Sequence, residues 1–118
     1  MKLLTPQEIA DTLQAAAGAG FISARCTEWA EGAKGRKSRQ VWLHITREAL
    51  LPTLRRLADI HYPHVSVIAH ADTGAQVDLM YHFYIYWGIP REEILVTLTI
   101  SLDKSDLRTP TITGIIPG

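Results

Sequence analysis

Apolar and polar positions alternate along the second half of the stretch from His64 to Trp87. Val77, Leu79, Tyr81, Phe83, Ile85 and Trp87 fall on one side, and Asp78, Met80, His82, Tyr84 and Tyr86 on the other. Alternation of that length predicts a strand with one buried face. A second strand is expected before it, with Asp72-Thr73-Gly74 as the reversal, because glycine tolerates the positive φ of a tight turn. The side that ought to face water carries Met, His and two Tyr. It is too apolar for a solvated face.

The remaining chain divides by the same reading. Thr5-Pro6-Gln7-Glu8 is a helix start, with threonine as cap, proline at the first position and Glu8 closing a capping box. Ile9, Leu13 and Ala16 follow at helical spacing, and Gly18 and Gly20 end the element. Phe21 to Ala30 is a strand expected to turn Ile22, Ala24 and Cys26 to one side. A basic glycine-containing loop over 32–39 leads to a strand from Gln40 to Ile45, with Val41, Leu43 and Ile45 inward. A second helix carries the stripe Leu50, Leu54, Leu57, Ala58 and His61. Pro52 lies too deep for a regular start at Thr46, so the first turn is expected to be irregular or the start to fall nearer Leu51. Tyr62-Pro63 stops it, and Gly88-Ile89-Pro90 is a turn. Glu93 to Leu102 is the last strand, burying Ile94, Val96, Leu98, Ile100 and Leu102.

The order α-β-β-α-β-β-β predicts an α+β fold: a two-layer sandwich with a mixed five-stranded sheet and both helices on one face. One domain spans 1–118, with 103–118 as a polar link and an apolar docking tail. The sheet face away from the helices is expected to hold Trp42, His44, Ile68, His70, Met80, His82, Tyr84, Tyr86 and Leu95. Aromatics, Met and His with few charges resemble the centre of a protein–protein interface.

Charge narrows the partners. The chain of 118 residues has 12 basic and 12 acidic side chains, so no bulk field favours nucleic acid or an anionic membrane. No apolar run approaches the ~20 residues of a membrane span, and Met-Lys-Leu-Leu-Thr-Pro has no signal-peptide core. A single cysteine, Cys26, excludes an internal disulfide and any four-cysteine cluster, and suits a reducing cytoplasm.

Three strings invite chemistry. Asp72-Thr73-Gly74-Ala75 has the letters of a dimeric aspartic protease half-site, in which two carboxylates share one proton. His-Ala precedes it in place of an apolar run, and the later glycine motif is missing, so a hairpin turn is the better reading. Gly32-Ala-Lys-Gly-Arg-Lys-Ser38 lacks the glycine before Lys-Ser and joins two strands, which rejects a phosphate loop. Its basic residues, with the exposed aromatics, leave a nucleic-acid-binding module as a further alternative. Of His44, His61, His64, His70 and His82, only His70 and His82 are placed to pair across strands and share a metal. Cys26 reads as a small buried hydrophobe.

The C-terminal third carries a resemblance. Tyr81-His82-Phe83, the strand Ile94 to Ser101, the segment His44-Ile-Thr-Arg-Glu-Ala-Leu-Leu and the close Pro110-Thr111-Ile112-Thr113-Gly114-Ile115-Ile116-Pro117-Gly118 resemble the 30-kDa (C) subunit family of NADH–quinone oxidoreductase. That family includes the small D subunit of Ech-type energy-converting NiFe hydrogenases. The chain stops ahead of the Trp and the acidic-Arg-acidic stretch that follow in the family, so no residue of that motif is assigned. The resemblance implies a non-catalytic accessory subunit with no cofactor of its own, docked on the large subunit at the cytoplasmic face of the membrane. Partner subunits would hold iron–sulfur clusters and, in the hydrogenase branch, nickel–iron. The residues expected to meet the partner are Trp42, Met80, His82, Tyr84 and Tyr86 on the sheet, and Pro110, Thr111, Ile112, Ile115, Ile116 and Pro117 in the tail.

Overall fold

The computed structural model describes residues 3–31, 36–61, 63–86, 89 and 93–106. The expected Trp87 end of the strand, most of the 88–90 turn, the 32–35 loop, Tyr62 and the tail residues Pro110, Thr111, Ile112, Ile115, Ile116 and Pro117 lie outside the described residues.

Helix α1, Pro6–Ala17, begins as its sequence dictates. The Thr5 hydroxyl accepts from the Glu8 amide at 3.2 Å, and the Glu8 carboxylate accepts from the Thr5 amide at 3.0 Å. Two orphan donors are thereby satisfied. Gly18 ends the helix at φ +57, a conformation that costs glycine little, and a 3-10 turn Gly18–Gly20 leads into β1. Helix α2, Leu50–Ile60, follows a 3-10 turn Arg47–Ala49 that Thr46 precedes in an extended conformation. This is the irregular start that Pro52 demands. Proline then sits in the first turn, where an amide has no partner within the helix anyway.

The strands are β1 Phe21–Glu31, β2 Arg36–Ile45, β3 His64–Asp72, β4 Gln76–Ile85 and β5 Ile94–Asp103. They form one mixed sheet in the order β1-β2-β5-β4-β3, with β2–β5 its parallel pair and every other pairing antiparallel. The last strand in sequence is therefore central. It slots between β2 and the β3–β4 hairpin, which α2 has carried to the far edge. Ile94, Val96, Leu98 and Ile100 are fully buried and Leu102 nearly so. They meet Val41, Leu43 and Ile45 from β2, Phe83 and Ile85 from β4, Ile9 and Leu13 from α1, and Leu50, Leu54 and Leu57 from α2 in one core. Both helices present their apolar stripes to the same sheet face, giving the α+β sandwich.

Two bulges change which residues face which way. Register slips between Phe21 and Ser23, and Ile22, the extra residue, is 53% exposed and not inward as alternation predicts. It slips again between Val65 and Val67. Ser66 is the extra residue there, and every later side chain of β3 changes face. Ile68 consequently lies opposite Tyr81 and His70 opposite Leu79, on the helix side, while Ala69 and Ala71 take the open face opposite Met80 and Asp78. The expected open-face positions of Ile68 and His70 are thus corrected. Ile68 remains 50% exposed. Five strands span about 24 Å, and two helices of about 10 Å leave the edge strand partly uncovered.

Tyr86 is also corrected. The strand ends at Ile85, and Tyr86 turns with φ +56 into the interior, where it is 2% exposed. Its hydroxyl accepts from the Leu4 amide at 3.0 Å, and its own amide donates to Nδ1 of His61 at 3.0 Å. The rings of His61 and Tyr86 meet edge to face at 5.3 Å. This residue ties the N-terminal segment and the end of α2 to the end of β4, and no side-chain surface remains for a partner.

Two substitutions test these junctions. Tyr86→Phe removes the acceptor of the Leu4 amide and should cost about 0.5–1.5 kcal/mol in urea denaturation with an unchanged slope. A Cβ on Gly20 would lie 2.5 Å from Oγ1 of Thr46 and 2.6 Å from Cβ of Ala49, so Gly20→Ala should cost about 1–3 kcal/mol by forcing the two 3-10 turns apart.

Candidate functional site

The sheet face turned from the helices is built by cross-strand register. One row runs Thr27, Gln40, Leu95, Tyr84, His64; the next runs Arg25, Trp42, Thr97, His82, Val67; a third runs Ser23, His44, Thr99, Met80, Ala69. Trp42, His44, Met80, His82, Tyr84 and Leu95 all stand on this face, each half-buried. The sequence-derived positions hold for these six.

Large side chains lie across the centre of the face. Thr97 projects from the central strand on this side, yet it is fully buried between Trp42 and His82, its row neighbours. Its Oγ1 lies 2.9 Å from Nδ1 of His82. The ring of Trp42 meets that of His82 edge-on, with centroids 6.5 Å apart. From β1 the Arg25 guanidinium lies over the indole, 5.3 Å from its centroid. An imidazole, an indole and a guanidinium therefore form a continuous layer over the middle of the sheet. The indole Nε1 of Trp42 is buried with no acceptor in reach among the described residues.

Beside this layer runs a chain of hydrogen bonds. Ser101 donates its hydroxyl to Asp78 at 2.6 Å, so the contact between Nε2 of His44 and the serine oxygen at 2.8 Å is a donation by the imidazole. In this order the imidazole presents a proton to the serine, the reverse of the arrangement in which a histidine accepts the proton of a nucleophile. The trio pins three strands together on the open face. A shallow depression opens next to it, lined by Ser23, Arg25, Trp42, His44, Asp78 and Thr99 among others.

Asp72 serves the hairpin. One carboxylate oxygen accepts from the Gly74 amide at 2.9 Å and the other from Lys104 at 2.9 Å, and Gly74 has φ +100. The ammonium of Lys104, and then the Gly74 amide, hold this exposed carboxyl below its usual range. His70 and His82, expected to be able to share a metal, stand on opposite faces of the sheet because of the β3 bulge. Among the described residues no group of three or more His, Cys, Asp or Glu is arranged to hold a metal ion. Cys26 faces the helix side opposite Val41, and burial followed by the charge of Asp11 pushes its thiol up. It is a poor thiolate.

Residues that sequence reasoning missed are Arg25, Thr97, Thr99, Ser101 and Asp78. Leu95, Thr97, Thr99 and Ser101 alternate with the core positions of β5, so the pattern held the signal for three of them. Arg25 and Trp42 pair only through register. A further missed contact is that of Arg47, which donates to the carboxylate of Asp106 at 3.2 Å and to its carbonyl at 3.4 Å, at the end of the sheet.

Comparison with protein-family models and with curated proteins gives no match for this chain.

The acid limb of stability follows from two turn carboxylates. Lys104 holds Asp72 low, and the amide and hydroxyl of Ser105 hold Asp103 low. A carboxyl depressed in the folded state binds its proton more readily when unfolded, near pH 4. Its contribution is complete above that pH and is lost as pH falls through the folded value. Urea midpoints between pH 2 and pH 7 should therefore decline below about pH 4, and Asp72→Asn should make that decline shallower.

Proposed function

We propose that this chain is a non-catalytic docking subunit whose open sheet face binds a larger partner protein. The observation that carries the reading is the composition and order of that face. Trp42, Met80, His82, Tyr84 and Leu95 occupy adjoining register positions, each partly exposed. Rigid aromatic side chains at the centre of a patch, with polar Thr, Ser and Gln positions around them, have the anatomy of an interface hot spot. The chemistry of the face supports the same reading, since its one serine–histidine–aspartate trio is ordered for structure.

In its finer form the partner is the large subunit of a membrane-bound NADH–quinone oxidoreductase-like complex or of an energy-converting NiFe hydrogenase. Support for this comes from the residues of 41–118 that resemble the 30-kDa subunit family, the Pro110–Gly118 close above all. The docking subunit then braces the electron-transfer arm at the cytoplasmic face of the membrane, and the iron–sulfur and nickel–iron groups belong to its partners. No described helix is long and apolar enough to cross a membrane, so attachment in this reading is through the complex. The apolar tail with Ile112, Ile115 and Ile116 is assigned to the same partner.

Co-purification from the native host tests the proposal. A carboxylate placed on the face beside the Trp42–His82 row by Tyr84→Asp should reduce recovery of the large subunit about tenfold or more, with the melting temperature of the isolated chain little changed. Ile115→Asp should do the same through the tail. Recovery equal to wild type for both variants would refute the docking role.

A further inference from the structure

Arg25 stands on the open face opposite Trp42, with its side chain exposed. Of the other described arginines, Arg47 pairs with Asp106, Arg56 pairs with Asp59, Arg39 has a partner of its own, and Arg55 projects into solvent from α2. Arg25 lies against the ring of Trp42. The guanidinium carbon lies 5.3 Å from the centre of the Trp42 ring, and the side chain is otherwise exposed. Five donors fixed in one plane have no protein acceptor among the described residues.

The indole Nε1 of Trp42 has no partner among the described residues. Asp78, the carboxylate in the same depression, already accepts from Ser101 through Oδ1, and the His44 imidazole presents its Nε2 proton to Ser101. Arg25 is exposed, while the indole below it is half-buried, so an incoming group meets the guanidinium first. An arginine already held against an indole loses less side-chain freedom when a planar acceptor pairs with it.

We infer that an acidic side chain of the docking partner pairs with the exposed Arg25 guanidinium, in a depression also lined by Trp42, Ser23, Thr99 and the Asp78 carboxylate that Ser101 holds. This rests on the docking role proposed above and adds the chemistry of the partner's contact. A planar carboxylate matches the fork of N–H donors. The zero net charge of the chain lends no general field for a polyanion, which favours one carboxylate on a protein over a nucleic-acid backbone.

The test uses the full chain, ¹⁵N-labelled, with three probes: a blocked hexaglutamate peptide, a blocked hexaglutamine peptide and a deoxythymidine decanucleotide. Hexaglutamate should shift the Arg25 Nε–H and Trp42 indole resonances saturably, hexaglutamine should not, and Arg25→Gln should abolish the shifts. In the host complex, Arg25→Glu should lower recovery of the large subunit about tenfold, and Arg25→Lys, which keeps the charge but loses the planar fork, should restore it only in part. Shifts that persist in Arg25→Gln, or no shifts with hexaglutamate, overturn the carboxylate pairing. Shifts produced by the decanucleotide in preference to the peptide overturn it in favour of a nucleic-acid phosphate. Should Arg25→Glu co-purify as wild type while Tyr84→Asp does not, only the carboxylate contact fails. Should both co-purify as wild type, the docking face itself fails.

Discussion

The structure depends on the insertion of the last strand between two others. β5 pairs in parallel with β2 and antiparallel with β4, and its five inward side chains join material from both helices and three strands. β5 is the strand that joins the β1–β2 pair to the β3–β4 hairpin in the sheet. The two halves are otherwise linked chiefly through α2. Closure of the core is therefore a long-range event, and contacts of this separation are entropically expensive to form. Leu98 and its neighbours make that insertion favourable by burying their side chains completely.

The same strand gives the molecule two unlike faces. On one side of β5 lie Ile94, Val96, Leu98, Ile100 and Leu102; on the other lie Leu95, Thr97, Thr99 and Ser101. The first set is covered by helices. The second is roofed at its centre by Trp42 and His82 and bounded by Tyr84, Met80 and His44. Such a roof protects the sheet without making its surface polar. It also preorganises the aromatic and cationic groups, because Thr97 anchors His82, Trp42 abuts His82 and Arg25 lies on Trp42. A face ordered before a partner arrives loses less entropy on binding. That is the physical basis on which a docking role is proposed.

Alternation made most of this legible. The seven elements, their order, the capping box at Thr5 and the irregular entry to α2 at Pro52 are all local properties, written in spacing and in the chemistry of threonine, proline and glycine. What was not legible was register. A bulge at Ser66 leaves no mark in composition, yet it carries Ile68 and His70 to the helix side and separates His70 from His82. Ile22 is displaced in the same way. Tyr86 continued the even positions of its strand, but the strand ended one residue earlier, and a positive φ with partners at Leu4 and His61 drew it inside. Arg25 was passed over because its meaning lies in the ring across from it. The Asp72-Thr73-Gly74 string is built as the turn of the hairpin, with Lys104 supplying the counter-charge from beyond β5.

The central claim is that the open face is covered in the functional assembly, and oxidative footprinting addresses it most directly. The protein would be labelled with hydroxyl radicals alone and again in the assembly purified from its own cells, and oxidation read residue by residue. The account predicts that Met80, Trp42 and Tyr84 are oxidised several-fold less in the assembly, while Tyr81, buried on the helix side, changes little. Equal oxidation of Met80, Trp42 and Tyr84 in the two states would contradict it.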